Sequence, residues 1–548
     1  MYTAPMGLRI CMVASEVTPL AKTGGLADVA GALAKYLHGA GHELQLFMPF
    51  HARIDRQAIG AERVAQLQDL PLAFGGHTWR FDVWRAKLHN SAASVQLVDC
   101  PALYDRPAIY TNDPDEHLRY IALTRAAFEC CQRLGWSPQV MHFNDWHTGF
   151  GPLLLRSSYA WDELFAGTRS VLTIHNIGYQ GVFGAEHASD IGLGPDVRLL
   201  HQDELRAGRV NSLRHGVMYA DALTTVSPTY AREILTPQYG MGLEADLRAR
   251  AAALTGILNG VDYDDWDPRH DRYLPRHFDA DSLATKALLK REFLARLGLQ
   301  QGARTAMLGV VSRFTVQKGF DLLFESLPQV LAARDVALVA LGNGEARYEE
   351  FFARLQREHP QRVHYHRGYS DELAHWIEAA ADIFLMPSLY EPCGLNQMYS
   401  LRYGTIPIVR RTGGLADSVQ SYDAASGEGT GVFNDFDATA MSWALNHALD
   451  LHAQPASWER VVRNAMAQDF SWQRQGAEYV SRCTGDCSTA APEARASGFV
   501  DDVVEVDGAA DALERAVGVQ PVVAVARLEP RQRTDRHPAG DAFIGRQA

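Results

Sequence analysis

The hexapeptide Thr-Gly-Gly-Leu-Ala-Asp occurs twice in this sequence of 548 residues, at positions 23–28 and again at 412–417. Six identical residues in a row are not expected to recur by chance. Glycines that open a helix let the chain backbone approach a ligand, and the helix start offers unpaired N–H groups to an anion. The repeat therefore predicts two similar nucleotide-binding-type sheets that face each other, each presenting a glycine-rich helix start to the space between them.

The residues around the first copy have the pattern of a strand, a loop and a helix. Residues 9–14 form an apolar run, and the apolar residues from Leu26 to Leu37 recur at the spacing of one helix face. Similar apolar runs, separated by helical patterns, occur throughout the chain. We expect strands at 43–48, 95–99, 140–143, 170–174 and 222–225, and a second series at 307–311, 336–341, 363–365, 383–386 and 406–409.

This alternation predicts an α/β protein with two Rossmann-like, doubly wound parallel-sheet domains on either side of a deep cleft. Residues 262–275 are rich in Asp, Arg and Pro and have the character of a linker. The expected domains are 1–262 and 263–468. They are followed by a helix at 469–484 that returns to the first domain. The tail at 485–548 has few aromatic residues and is expected to be disordered.

The bulk composition restricts the possible partners. A net charge of −13 argues against a general nucleic-acid binder, which needs a basic surface. The sequence has no apolar run of eighteen residues and begins with a core strand, so we expect no membrane segment and a cytoplasmic location. Seven scattered cysteines suit neither a disulfide framework nor a metal site.

The first candidate binding loop is Lys22-Thr23-Gly24-Gly25, between a strand and a helix. Amides of Gly24 and Gly25 can meet an anion, and Lys22 adds a positive charge. Gly-Gly alone would fit a tight turn without a ligand equally well. The adjacent Lys22 favours the alternative in which the loop binds a phosphate or a sugar.

Two further loops follow strands of the second series. Arg313 and Lys318 lie after one strand, where two cations can neutralise a departing diphosphate. Glu391 lies in a turn after another strand, before Gly394 and the helix that starts at Leu395. Its carboxylate can hold sugar hydroxyls or stabilise an oxocarbenium-like centre. If the loop with Arg313 and Lys318 stood alone, it would more simply be a charged loop in solvent. Glu391 alone would be a carboxylate that favours the start of a helix.

Two polar and aromatic clusters end strands of the first series, at 144–147 and 175–181. Aromatic rings that stack on sugars, flanked by amides and carboxylates, suit a polysaccharide groove. A lone His or Trp is more often a packed core residue. The sequence has no nucleophile elbow, zinc-protease helix, Walker loop or dinucleotide fingerprint. It also lacks an Asp-x-Asp pair among these loops, so we expect no divalent metal on the diphosphate and no cofactor.

Together these motifs closely resemble the bacterial glycogen synthase and plant starch synthase family, from about residue 8 to about residue 475. The resemblance rests on the segments already quoted and on Val226-Ser227-Pro228-Thr229-Tyr230, Leu258-Asn259-Gly260-Val261-Asp262 and Arg411 before the second hexapeptide. It implies the two-domain GT-B architecture. It also implies transfer of glucose from ADP-glucose to the non-reducing end of an α-1,4-glucan such as glycogen, with retention of configuration and with the donor phosphate taking the acceptor proton.

The resemblance also implies roles for individual residues. The implied catalytic residues are Glu391, Arg313, Lys318, His175 and Asp28. The implied donor contacts are Lys22, Gly24, Gly25, Asn259, Gly394, Leu395, Thr412 and Gly413. The implied acceptor or sugar contacts are Tyr104, Asp145, Trp146 and Asn176.

Other readings stay open on the sequence. One is a non-catalytic glucan-binding protein, although the cationic pair and Glu391 are intact. Another is a related GT-B transferase that uses UDP-glucose or forms trehalose or sucrose. Oligomeric state, primer length and allosteric control are left open.

Overall fold

A computed structural model describes residues 7–111, 113–300, 302 and 304–488 of the chain. The predicted tail lies outside the described residues from position 489 onward. Among the residues that are described, no helix is both long and apolar enough to cross a membrane.

Strands of the first half are β1 (Arg9–Val13), β2 (Glu43–Pro49), β3 (Glu62–Arg63), β4 (Leu70–Phe74), β5 (His77–Lys87), β6 (Ser94–Asp99), β7 (Val140–Asn144), β8 (Arg169–Ile174), β9 (Val182–Gly184), β10 (Arg209–Asn211), β11 (Ala222–Thr225) and β12 (Leu254–Gly256). Strands of the second half are β13 (Ala306–Phe314), β14 (Val336–Gly344), β15 (Val363–Arg367), β16 (Ile383–Met386), β17 (Ile406–Arg410) and β18 (Val432–Asn434).

The α-helices before residue 260 are α1 (Gly25–Gly39), α2 (Pro101–Tyr104), α3 (Glu116–Leu134), α4 (Gly151–Arg156), α5 (Gln202–Arg206), α6 (Ser212–Tyr219), α7 (Pro228–Glu233) and α8 (Glu244–Ala249). Those after it are α9 (Leu283–Arg296), α10 (Leu323–Ala333), α11 (Ala346–Glu358), α12 (Asp371–Ala380), α13 (Asn396–Tyr403), α14 (Gly413–Ser418), α15 (Ala438–His452), α16 (Pro455–Met466) and α17 (Trp472–Ser488). Short 3₁₀ helices lie at Trp146–Thr148, Glu163–Phe165, Ala185–Ile191, Gly194–Leu199, Ala251–Ala253, Val316–Lys318 and Phe320–Leu322.

Two large sheets organise the described residues. The first has the order β12-β11-β8-β7-β1-β2-β6-β5-β3, with β4 also paired to β5. The second has the order β15-β14-β13-β16-β17-β18, and all its neighbours are parallel. The predicted α/β architecture with two parallel sheets is confirmed.

The antiparallel edge of the first sheet was not predicted. Strands β4 and β5 form a hairpin around Gly75 and Gly76, both with positive φ. Residues of β4 alternate between buried and exposed, as in a strand with one face in solvent. The Gly-Gly pair between two apolar runs is a hairpin signal that the parallel pattern elsewhere obscured.

Strand β1 shows why the parallel strands read as continuous apolar runs. Its side chains alternate between two core clusters, with Cys11 and Val13 in one and Ile10 and Met12 in the other. Both faces of the sheet are thus covered, and apolar residues are needed at successive positions.

The strand order places the functional loops. In the first sheet the order reverses between β1 and β7, and in the second between β13 and β16. Ligands of open α/β sheets bind outside the carboxyl ends of strands at such switch points. The loops there begin after residues 13, 144, 314 and 386, and they carry Lys22, Asp145, Lys318 and Glu391, whereas His175 and Asn176 follow β8.

The chain passes between the two halves twice, and the crossings lie side by side. Val261 pairs with Ser471, and the Val261 N–H donates to the Phe470 carbonyl at 2.7 Å. Helix α17 then packs on α1, with Gly476 against the ring of Tyr36.

Candidate active site between the two sheets

Lys318 and Glu391 form a close ion pair at the carboxyl ends of β13 and β16. Lys318 Nζ lies 2.6 Å from Glu391 Oε2, and the Ser388 hydroxyl donates to the same oxygen at 2.9 Å. The Glu391 side chain is only 7% exposed and that of Lys318 19%. Two strands that are neighbours in the sheet thus bring together residues 73 positions apart.

Arg313 lies at the same edge, near the end of β13. Its side chain is exposed, and it makes no ion pair with any residue of the described part of the chain. Burial raises the pKa of Tyr390 to about 12, and the nearby positive charge of Arg313 opposes that rise. In the described part of the second half, Lys318 is thus paired with Glu391, whereas Arg313 lies at the same edge of the sheet without an ion pair.

The turn after Glu391 leads into α13. Gly394 has φ 73°, a left-handed conformation that favours glycine, and a Cβ there would lie 2.4 Å from the end of the Gln397 side chain. Leu395 immediately precedes α13. A Cβ on Gly25 of the first half would lie 3.7 Å from Leu395 Cδ1, so the two predicted donor loops meet across the cleft.

Lys22 is paired within its own loop. Its Nζ lies 2.8 Å from Asp28 Oδ1, which also accepts from the Thr18 hydroxyl at 3.0 Å. Burial lowers the pKa of Lys22, but Asp28, Tyr369 and Asp371 together outweigh that effect, so the pKa is raised overall. Lys22 Nζ also lies 5.8 Å from the ring centre of Tyr369 in the second half.

Glu16 is a site residue that the sequence reasoning missed. Its carboxylate accepts from the Thr23 N–H and also bonds the Gly24 N–H, so it occupies the inner part of the predicted anion loop. Burial raises the pKa of Glu16 to about 7. Glu16 precedes Lys22 by six residues and is part of no recognisable motif. It reaches Thr23 and Gly24 only because residues 17–22 bend the chain back on itself.

His175 and Asp145 belong to one buried network. Asp145 Oδ1 accepts from the backbone N–H groups of His175 at 2.8 Å and Asn176 at 3.3 Å. His175 Nε2 lies 2.9 Å from Asn144 Oδ1. Burial raises the pKa of Asp145 to about 7 and lowers that of His175 to about 3, so the imidazole is neutral at pH 7.

The Trp146 ring lies under the loop that follows His175. Gly181 has φ 60°, and a Cβ there would lie 2.2 Å from Trp146 Cε3. The same loop reaches the second half, because Asn176 Nδ2 lies 3.4 Å from Gln317 Oε1. Trp146 and Asn176 therefore belong to the first-half wall of the cleft.

Asn259 lies beside the second-half turn. It hydrogen-bonds the Cys393 thiol through its backbone and its side chain, and Cys393 is two residues from Glu391. Asn259 is 8% exposed, so it is largely buried beside the turn that carries Glu391, and its donor contact stays a prediction.

Thr412 and Gly413 contact a protein carboxylate. Glu233 accepts from the Thr412 hydroxyl at 2.9 Å and from the Gly413 N–H at 3.1 Å. In return, Asp417 of α14 accepts from the N–H and hydroxyl of Thr229, at 2.8 and 2.6 Å, at the start of α7. These groups join the two halves in this structure, and the donor contact predicted for Thr412 and Gly413 stays a prediction.

Tyr104 is also placed away from the cleft. It is 1% exposed, and its hydroxyl donates to the Arg119 carbonyl at 2.9 Å. The ring is enclosed and its hydroxyl is already bonded, so a sugar contact would require this packing to open, and the contact stays a prediction.

Comparisons with known proteins cover both halves of the chain. The family model for the starch synthase catalytic domain matches residues 9–249, and that for glycosyl transferases group 1 matches residues 299–465. A glycogen synthase of Anaeromyxobacter dehalogenans (strain 2CP-C) is 44% identical over 481 residues, covering 86% of this chain and 98% of the relative. A glycogen synthase of Myxococcus xanthus (strain DK1622) is 42% identical over 477 residues, covering 86% of this chain and 98% of the relative.

A solved structure is also similar over most of the chain. The catalytic domain of starch synthase IV from Arabidopsis thaliana, bound to ADP and acarbose, has a TM-score of 0.82 and 31% identity. The match covers 88% of this chain and all of that one. The two facing sheets and the cleft between them define a glycosyltransferase of the GT-B class. Within that class, the chain belongs to the family of bacterial glycogen synthases and starch synthases.

Proposed function

We propose that this glycosyltransferase moves glucose from ADP-glucose to the non-reducing end of an α-1,4-glucan, with retention of configuration. The observation that carries the proposal is the Lys318–Glu391 pair at the switch point of the second sheet, facing the glycine loop of the first. Such a pair places positive charge for a diphosphate beside a carboxylate for a sugar.

Arg313 and Lys318 are proposed to hold the donor diphosphate, with the Gly394 and Leu395 amides at the start of α13. Backbone N–H groups at a helix start attract anions, and two cations offset the charge that develops as the diphosphate leaves. These groups supply the positive charge that a divalent ion supplies elsewhere. The reaction is therefore proposed to need neither metal nor cofactor.

Retention follows from the proposed course of the bonds. The acceptor hydroxyl oxygen forms a bond to the anomeric carbon on the face from which the phosphate oxygen departs. The proton of the acceptor hydroxyl passes to the departing phosphate oxygen. Glu391, held by Lys318 and Ser388, is proposed to bind the transferred glucose and stabilise its positively charged transition state.

The first half is proposed to position the glucose and the acceptor. His175 is neutral, so it exchanges hydrogen bonds with sugar hydroxyls without adding charge. Trp146 and Asn176 line the acceptor side, and Asp145 holds the two loops together by accepting from the Asn176 N–H. Lys22, Asp28 and Asn259 are proposed to line the donor end.

Tyr369 is proposed as an additional donor contact. Its ring is 56% exposed after β15 and close to Lys22, and its hydroxyl is bonded to Asp371 at 2.6 Å. An exposed ring held in this way suits stacking of a nucleobase.

The test is incorporation of labelled glucose into glycogen from ADP-glucose and UDP-glucose in parallel, with EDTA present. We expect strong incorporation from ADP-glucose, and loss of most of it in Glu391→Ala. Incorporation from UDP-glucose alone would overturn the donor assignment. Glycogen binding without incorporation from either donor would instead indicate a glucan-binding protein.

A further inference from the structure

Three histidines surround one aspartate on the first half. His117 Nε2 lies 3.0 Å and His187 Nδ1 3.2 Å from Asp190 Oδ2, and His77 Nε2 lies 3.3 Å from Asp190 Oδ1. The ligand atoms of His117, His187 and Asp190 all lie within 4.8 Å of one another. None of these residues belongs to the proposed glycosyl-transfer site.

We propose that this cluster binds a divalent transition-metal ion of the zinc type. Imidazole nitrogen and carboxylate oxygen are the ligands that such ions prefer. Two zinc–ligand bonds of about 2.1 Å at a tetrahedral angle separate the ligand atoms by about 3.4 Å. The two histidine–Asp190 separations are within about half an ångström of that value.

The surroundings of the cluster suit a bound ion. His117 and Asp190 are each 8% exposed, and the His117 ring stacks on Phe183 at 4.5 Å, which fixes its orientation. The His187 and His77 side chains are 43% and 42% exposed and leave a path to solvent. His77, on the other carboxylate oxygen, is assigned the orienting role of a second-layer partner.

The ion would join two elements through its ligands and a third through His77, which bonds Asp190. His117 is on α3, His77 is at the start of β5, and His187 and Asp190 share the 3₁₀ helix Ala185–Ile191. That helix continues from the loop that covers Trp146. A metal here would tie the β4–β5 hairpin to the acceptor side of the cleft, and it would act on stability.

The test uses the full chain without an affinity tag, stripped with EDTA and then titrated with ZnCl₂. We expect one equivalent bound, and affinity at least about tenfold lower in His187→Ala, whose exposed position leaves folding intact. His117→Gln should lose binding as well, and His77→Ala should weaken it by about tenfold. His89→Ala, at an exposed turn outside the cluster, is the matched control and should bind like wild type.

Two readouts accompany the titration. Zinc at about 100 times its Kd should raise the ratio of folded to unfolded protein about 100-fold, and His187→Ala should lose that gain. Co²⁺ should give the visible spectrum of a four-coordinate site in wild type and in His89→Ala but not in His187→Ala. No bound zinc in wild type, or equal affinity in wild type and His187→Ala, would overturn the proposal, whether or not glucose transfer is observed.

Discussion

Replacing Lys318 by Ala tests the proposed chemistry most directly. The substitution removes the ammonium that lies 2.6 Å from Glu391 and leaves that carboxylate with the Ser388 hydroxyl. Removing one preorganised group that stabilises transition-state charge costs about 10²–10³ in kcat. We therefore expect kcat/KM for ADP-glucose to fall about 100- to 1000-fold.

A matched control lies at the opposite end of the same sheet. Lys290 Nζ pairs with Asp382 Oδ2 at 2.7 Å, and the two side chains are 17% and 11% exposed, nearly as in the Lys318 pair. Breaking either pair leaves a mostly buried carboxylate and lowers stability. Lys290→Ala should reduce Tm while kcat/KM stays within about twofold of wild type, because Lys290 lies at the end of the sheet away from the residues proposed to bind ADP-glucose.

A double-mutant cycle with Glu391→Ala completes the assay. Because Lys318 and Glu391 are in contact, their effects should be non-additive by about 1–3 kcal/mol. The double variant should then lose less activity than the product of the single losses. Steady-state kinetics at saturating glycogen measure all four proteins. A Lys318→Ala enzyme within threefold of wild type, or strictly additive losses, would refute the assigned site.

Three further substitutions test other parts of the site. Burial raises the pKa of Glu16 from 4.5 to about 7, so between these pH values the folded protein binds more protons than the unfolded chain. The free energy of unfolding therefore falls by about 3 kcal/mol as the pH rises through this range. In Glu16→Gln, urea unfolding at pH 5 and pH 8 should therefore differ less than in wild type; an unchanged difference would contradict this. Glu233→Gln removes the carboxylate from the start of α14 and should cost about 1–2 kcal/mol in urea unfolding, whereas an unaltered midpoint would argue against the contact. Gly181→Ala should displace the Trp146 ring and raise the KM for glucan but not for ADP-glucose; equal changes in both would disagree with an acceptor role.

Much of the fold could be predicted because parallel strands leave a strong signal. Strands such as β1 and β13 are buried on both faces and read as apolar runs, and the loops at their carboxyl ends carry recognisable residues. The pairing of Lys318 with Glu391 agrees with that reasoning, since both follow strands near the centre of the second sheet.

The remaining site residues depend on contacts that a single sequence does not reveal. Glu16 reaches the glycine loop only through the bend of residues 17–22. Glu233 reaches Gly413 across 180 positions, and no local pattern distinguishes it from a solvated charge. Tyr104 has the residue type of a sugar contact, but its burial depends on how α2 and α3 pack.

The two adjacent chain crossings place the two ends of the second half side by side. Residues 262–469 leave the first half at Val261 and return beside it at Phe470, so their ends are neighbours in space. Strands β1 to β12 and helix α17, which bonds His142 and Thr173 through the Tyr479 hydroxyl at 2.8 Å, belong to the first half. A short linker from residue 261 to residue 470 would therefore close the first half without cutting its large sheet. The excised segment would carry Arg313, Lys318 and Glu391, and its two ends would adjoin.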